Sequence, residues 1–171
     1  MMDTQDPWLL HFTHVDNLES VARTGLVADN LQPPLVVECA EQGIKELRRT
    51  RSVPIGPLGV VADYVPFYAS NLAWVASDRN AALATARFTA TQRELATHID
   101  WALMEAEYWA NTDEDGSRVQ RRMAELLVHE RVPWMAFSRV YAQTESVAAV
   151  AREIVGLERR PSAEVRAHWY F

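Results

Sequence analysis

The octapeptide Arg121-Arg122-Met123-Ala124-Glu125-Leu126-Leu127-Val128 sets a carboxylate at the mouth of an apolar run, beside two arginines. Leu126, Leu127 and Val128 predict a buried strand. A glutamate leading into it must be partnered or stand at a pocket edge, because an ionised side chain is almost never buried alone. An acid so placed can take a proton or steady a developing cation. It can equally be half of an ion pair with Arg121 or Arg122, and this stretch leaves both readings open.

Two basic clusters accompany the acid. Lys45, Arg48, Arg49 and Arg51 lie within one short stretch, and Arg118, Arg121 and Arg122 directly precede Glu125. Such clusters bind phosphates or are simply solvated helix faces. The histidines (His11, His14, His98, His129, His168) show no ligand-like pairing beyond His11-x-x-His14. That pair lacks the Cys or carboxylate support zinc needs, so no metal is expected. No Gly-rich phosphate loop and no serine elbow is present.

A chain of 171 residues is expected to form one domain, residues 1–171, large enough for a real core. No apolar run is long enough to span a bilayer, and the first residues carry acids where a secretory signal carries bases. The single Cys39 excludes an internal disulfide and fits a reducing cytoplasm. With no basic neighbour it reads as a packed or half-exposed thiol rather than a nucleophile. A net charge of -6 argues against coating duplex nucleic acid, since that scales with phosphates neutralised. A small basic cleft remains compatible with it.

Periodicity and turn residues give the elements. Leu9–Phe12 is a short strand. Asp16 caps a helix, with Glu19 completing a capping box and Gly25 ending it. A second helix runs from Glu38 to Thr50, with its cations at the end that suits the helix dipole. Val53–Gly59 is a loop leading into a β segment up to Tyr68, and Leu72–Val75 is a further strand candidate. Asp78 caps a helix near 79–88, and Gln92–Ala110 is the longest helical stretch. A polar loop over 111–117 precedes the Glu125 strand, and Val132-Pro133-Trp134 opens a turn or short helix. Arg139–Ala142 is a strand, Thr144 caps a helix to about Val155, and Val165–Phe171 closes as a strand. Strands and helices without a regular crossover alternation favour an α+β fold.

Four blocks, in order and across nearly the whole chain, carry a family likeness. They are His11-Phe12-Thr13-His14-Val15-Asp16-Asn17-Leu18 with Gly25, and Ile44-Lys45-Glu46-Leu47-Arg48 through Asp63-Tyr64-Val65-Pro66-Phe67-Tyr68. The third runs from Ser77-Asp78-Arg79 through Arg87-Phe88 to Tyr108-Trp109, and the fourth from Ala124-Glu125-Leu126-Leu127-Val128 to the Trp169-Tyr170-Phe171 ending. In these blocks the chain resembles the DarT family, NAD-dependent DNA ADP-ribosyltransferases that act as toxins paired with a macrodomain antitoxin. The resemblance implies an ADP-ribosyltransferase fold, a split and mostly antiparallel sheet with flanking helices around an NAD cleft. It implies that His11 and Thr13 hold the nicotinamide and its ribose, and that Asn17 lies near the phosphates or adenosine. His14, which is equally suited to start a helix, and Tyr68 complete the expected NAD-binding set. Glu125 matches the catalytic glutamate and Arg48 the essential arginine, while Arg49, Arg51 and Arg122 are the expected nucleic-acid contacts. NAD is then a co-substrate, single-stranded DNA the acceptor, and a macrodomain antitoxin a partner.

The chain departs from the family after Val65-Pro66-Phe67-Tyr68, where it reaches the third block almost at once and a central segment is missing. Leu47 also replaces a residue that is commonly basic. A second class of function therefore stands beside the first: an NAD-consuming enzyme with a small-molecule or water acceptor, or a degenerate NAD-binding module. Among aromatic platforms for an unstacked base, Tyr64, Phe67, Tyr68, Tyr108 and Trp109 are candidates, with Phe67 and Trp109 expected in the core.

Overall fold

Pro66 governs the sheet on which the acid sits. In the computed structural model, which describes residues 9–32, 34–69, 81–106, 108, 110–156 and 161–167, the chain forms two units. They are Met1–His11 with Ala40–His129, and Phe12–Cys39 with Glu130–Phe171. In chain order the elements are β1 (Leu9–Leu10), α1 (Leu18–Thr24), β2 (Leu26–Val27), α2 (Gln42–Thr50), β3 (Tyr64–Ala69), α3 (Gln92–His98), α4 (Trp101–Glu105), α5 (Arg118–Arg122), β4 (Glu125–His129), β5 (Arg131–Val132), β6 (Arg139–Ala142), α6 (Glu145–Val155) and β7 (Ser162–Val165).

In the first unit β1, β3 and β4 form an antiparallel sheet with β3 in the middle. The β3–β4 register runs from Tyr64↔His129 to Tyr68↔Glu125. A proline in a middle strand has no N–H for the ladder. The sheet accommodates this by stopping β1 after Leu10↔Tyr68, short of Pro66. Beyond that point the His11 ring, rather than a strand, serves the Pro66 carbonyl at 2.8 Å.

Strand β4 threads two apolar clusters. Leu127 packs with Val53, Val61, Tyr64 and Ala81, flanked by Ile55 and Phe88. Ala124 packs with Leu95, Ile99 and Met104, flanked by Trp101. Glu125 lies between those two anchors, so its backbone is fixed on both sides.

Three helical expectations differ from the structure in this unit. Within the expected helix 79–88, the described residues 81–88 are turns and extended chain. Their backbone groups are taken by tertiary partners: the Ala81 N–H donates to Glu125 and the Ala86 carbonyl accepts from Arg51. The expected 92–110 helix is broken into α3 and α4 at Ile99-Asp100. The Asp100 carboxylate accepts the Leu103 N–H at 3.0 Å, starting a new helix where the periodicity reads straight through. Thr91 does the same for α3 through the Glu94 N–H. Helix α2 also begins at Gln42 instead of Glu38.

In the second unit β2 pairs with β5 antiparallel and β6 with β7 parallel. Asp16 is not the cap of the first helix. A 3-10 turn over Val15–Asn17 comes first, with the His14 Nδ1 accepting the Asp16 N–H at 3.2 Å. Thr144 caps α6 as expected, and Gly25 ends α1, donating to the Val21 carbonyl at 2.8 Å. Among the described residues the final strand is β7 at Ser162–Val165, with most of the expected Val165–Phe171 strand lying outside them, and Cys39 is exposed rather than packed or half-exposed. The Leu72–Val75 strand, the Asp78 cap, Trp109, His168 and the Trp169-Tyr170-Phe171 ending lie outside the described residues. Helices with short, mainly antiparallel strand pairs make the fold α+β.

Gly25 offers a direct test of this packing. Its φ of +78° is a conformation that side chains resist, and an added Cβ would lie 2.3 Å from the Val132 carbonyl oxygen. Backbone strain of about 1–3 kcal/mol plus this clash should make Gly25→Ala lower the melting temperature by more than about 4 °C. An unchanged thermal melt would show that the approach of Gly25 to β5 is not tight.

Candidate active site

Arg48, in the last turn of α2, is buried, which an arginine tolerates only with a partner. The partner is Glu125, at the first position of β4. Its side chain is 0% exposed, and Arg48 Nη1 lies 3.2 Å from Oε1 and 3.0 Å from Oε2. The Tyr68 hydroxyl donates to the same carboxylate from directly across the β3–β4 ladder, and the Ala81 N–H donates from the following segment. Arg121 and Arg122 are not the partners. Arg121 binds Asp115 at 2.5 Å and Asp100 at 3.5 Å, while Arg122 donates to the carbonyls of Leu103 and Met104.

Burial pushes the Glu125 carboxyl above the ordinary range, opposed by Arg48 and by the Ala81 and Tyr68 hydrogen bonds. The Tyr68 phenol is pushed up to about 12, first by burial and then by the carboxylate beside it. It therefore remains a donor at neutral pH. Burial lowers the His11 pKa; its bond to the Pro66 carbonyl works against this, and the Arg48 charge adds to the lowering. A carbonyl can only accept, so the neutral ring carries its hydrogen on Nδ1 and presents Nε2 as an acceptor. Among the described residues, Arg48 Nη2 is buried without a hydrogen-bond partner. A dry carboxylate, an acceptor nitrogen and an uncommitted cationic donor are thus brought together, a set suited to a polar, partly anionic ligand that develops positive charge.

The remaining expected residues are placed as follows. Thr13, His14 and Asn17 belong to the second unit, where Thr13 and His14 are exposed. Asn17 is 1% exposed; its Nδ2 donates to Thr13 Oγ1 at 3.1 Å and the Val37 carbonyl at 2.8 Å, and its Oδ1 accepts the Val37 N–H. Both ends of that amide are engaged in holding the Val37 strand of loop against the start of α1. Arg49 is exposed on α2. Arg51 donates to the Ala86 carbonyl at 3.2 Å and lies over the Phe88 ring at 5.6 Å. Tyr64 and Phe67 are core residues, whereas Tyr108 is 68% exposed. Sequence reasoning missed Ala81, whose contribution is a backbone N–H and leaves no mark in residue type.

Residues 10–71 and 69–171 match the profile of a family described as ssDNA thymidine ADP-ribosyltransferase, DarT. A DNA ADP-ribosyl transferase of Thermus sp. (strain 2.9) is 30% identical over 95% of this chain and 95% of that protein. Its alignment runs over 203 positions, more than the 171 residues here, so the relative carries residues with no counterpart in this chain. The family match itself breaks at 69–71, where the missing segment was expected. Among solved structures, Thermus sp. 2.9 DarT in complex with ADP-ribosylated ssDNA superposes with a TM-score of 0.82 at 29% identity, covering 95% of each chain. Thermus sp. 2.9 DarT in complex with NAD+ gives 0.77 at 28% identity, covering 95% of this chain and 96% of that one.

Removing one member of a buried pair strands the other charge, at about 3–5 kcal/mol. Arg48→Ala should lose that much in urea unfolding at pH 7, and Arg49→Ala, one position along on the exposed face, less than about 0.5 kcal/mol. Equal losses would mean that the Arg48–Glu125 pair is not buried.

Proposed function

We propose a working mechanism for a chain that belongs to the DarT family and is an NAD-dependent ADP-ribosyltransferase of DNA. ADP-ribose passes from NAD to a base of single-stranded DNA, for which the family description points to thymidine, and nicotinamide leaves. The observation that carries the residue assignment is the wholly buried Glu125 carboxylate gripped by Arg48.

NAD supplies a glycosidic bond to nicotinamide whose cleavage places positive charge on the ribose, as in other glycoside chemistry. Glu125 opposes that charge from a site without competing water, where a fixed carboxylate acts most strongly. The acceptor nitrogen of the base must lose a proton, and Glu125 is the group to take it. Arg48 keeps the carboxylate ionised through Nη1 and offers Nη2 to a diphosphate oxygen or a base carbonyl. His11 Nε2 accepts from a ribose hydroxyl or the nicotinamide amide.

Tyr68 acts in the same site, donating its hydroxyl to Glu125 and lining the place that the family likeness gives to NAD. The family likeness supports Thr13 and His14 as nucleotide contacts, and within the second unit Asn17 fixes Thr13 while closing its own amide against Val37. Arg49 suits a DNA phosphate, and Arg122 adds positive potential near the start of β4 while tied to the end of α4. Both units form one transferase domain in this reading, since the family match runs through both. The family likeness supports a macrodomain antitoxin as partner. The lone Cys39 supports a cytoplasmic setting, and among the described residues no helix is long and apolar enough to cross a membrane. Transfer to water or a small molecule is the competing reading. The -6 net charge and the residues missing relative to the Thermus protein favour it.

Incubation with NAD and a panel of oligonucleotides, read by intact mass, separates the two. One added ADP-ribose on single strands is expected, falling at least about 100-fold in Glu125→Gln. Nicotinamide release with every oligonucleotide unmodified would transfer the assignment to the competing reading. The pH profile supplies a second check. Glu125 acts only when ionised and burial raises its pKa, so the rate should climb with pH through a value above the 4.5 of an ordinary glutamate. An acid limb at or below that value would contradict a buried base.

A further inference from the structure

Arg51 looks from the sequence like one more cation in a basic cluster, yet its side chain points into the first unit. Its backbone is pinned on both sides: its N–H donates to Leu47 at 2.9 Å and its carbonyl accepts from Val61 at 2.8 Å. Its guanidinium then does two things at once. Nη2 takes the Ala86 carbonyl at 3.2 Å, and the planar group lies over the Phe88 ring at 5.6 Å. Among the described residues Nε is buried without a partner, a cost this contact pattern must offset.

The segment that Arg51 grips has a second anchor at its other end. Residues 81–88 form neither helix nor strand, and the Ala86 N–H closes a turn on the Leu83 carbonyl. Ala81 is 0% exposed, packs against Leu127 and Val61, and gives its N–H to the Glu125 carboxylate. Arg48 lies in the last turn of α2, and Arg51, three positions on, is the extended residue that caps its end. One grips the acid directly, and the other grips the segment that carries a further donor to it.

We propose that Arg51 is a positioning residue for the transfer reaction, fixing the 81–88 segment through the Ala86 carbonyl and the Phe88 ring and so holding the Ala81 N–H on the Glu125 carboxylate. The proposal rests on Glu125 being the reactive carboxylate, as read above. It replaces the expectation that Arg51 touches nucleic acid. The charged or titratable groups around Glu125 are Arg48 from α2 and Tyr68 from β3, with neutral His11 next to Arg48, and none of them changes when Arg51 is replaced. Loss of the Ala81 hydrogen bond therefore has one sign: a donor to the ionised form disappears and the Glu125 pKa rises further.

The test compares Arg51→Ala with Phe88→Leu, which removes the ring under the guanidinium and leaves every charge in place. For both, a roughly 10-fold or larger fall in kcat is expected, with the oligonucleotide KM within about 2-fold and an unchanged salt dependence of binding. The acid limb of the pH profile, and the Glu125 carboxyl titration followed by 13C NMR without substrate, should move to higher pH. The double variant should fall short of the sum of the two, since both act through one contact. Should Arg51→Ala fail to fold, Arg51→Lys replaces it; keeping the charge without the planar stack, it should share the kcat and titration changes. A raised oligonucleotide KM with a salt slope about one unit shallower, kcat intact and Phe88→Leu like the parent, would overturn the positioning role and return Arg51 to the DNA surface. Glu125→Gln, run alongside, separates the two levels. If it retains transfer, the reading of Glu125 itself has failed; if it is inactive, an unmoved titration in Arg51→Ala counts against Arg51 alone.

Discussion

A carboxylate with no access to water survives only beside a matching cation, and here the match comes from 77 residues away along the chain. The attraction of Arg48 and the hydrogen bonds from Ala81 and Tyr68 oppose what the Glu125 carboxylate loses on leaving water, and burial still holds its pKa above the ordinary range. Most of the first unit can be understood as the scaffold of this pair. The end of α2 delivers the guanidinium, the register of β3 on β4 delivers the phenol, and two apolar clusters clamp the strand that carries the acid. The same grip that stabilises the fold holds, out of water, the carboxylate proposed to react, so stability and the proposed chemistry draw on one interaction.

Arginines elsewhere in this unit show a different use of charge. Arg118 donates to the carbonyls of Tyr108 and Ala110, Arg122 to those of Leu103 and Met104, and Arg51 to that of Ala86. These are irregular or helix-terminal stretches whose carbonyls have no ladder to join. A planar fork reaching two acceptors is a compact way to satisfy them. A protein with short helices and broken strands thereby gains order from side chains that would otherwise read as an electrostatic landing strip.

The same contrast explains what the sequence disclosed. Glu125 at the mouth of an apolar run was legible because strand burial and charge conflict there, and the conflict demands a partner. The family blocks pointed to Arg48, which spacing alone could not have paired with an acid so far along the chain. Glycine and threonine boundaries at Gly25 and Thr144 were legible because caps are local. The unbroken helix over 92–110 was not, because the apolar period continues through Asp100 and only its carboxylate on the Leu103 N–H reveals the restart. The segment 81–88 was misread for a related reason: its backbone partners are tertiary, and no local pattern records them. Arg49, Arg51 and Arg122 looked alike in a list of cations, and burial and geometry divide them.

The lateral pairing of Tyr68 with Glu125 carries an implication for how such a chain can be shortened. Side chains alternate across a ladder, so sliding β4 by a single position would turn the carboxylate to the opposite face and set Phe67 where the phenol belongs. Any change of length between the two strands therefore has to return the chain to the same rung. The residue count between the strands is free to change; the face on which each side chain emerges is not.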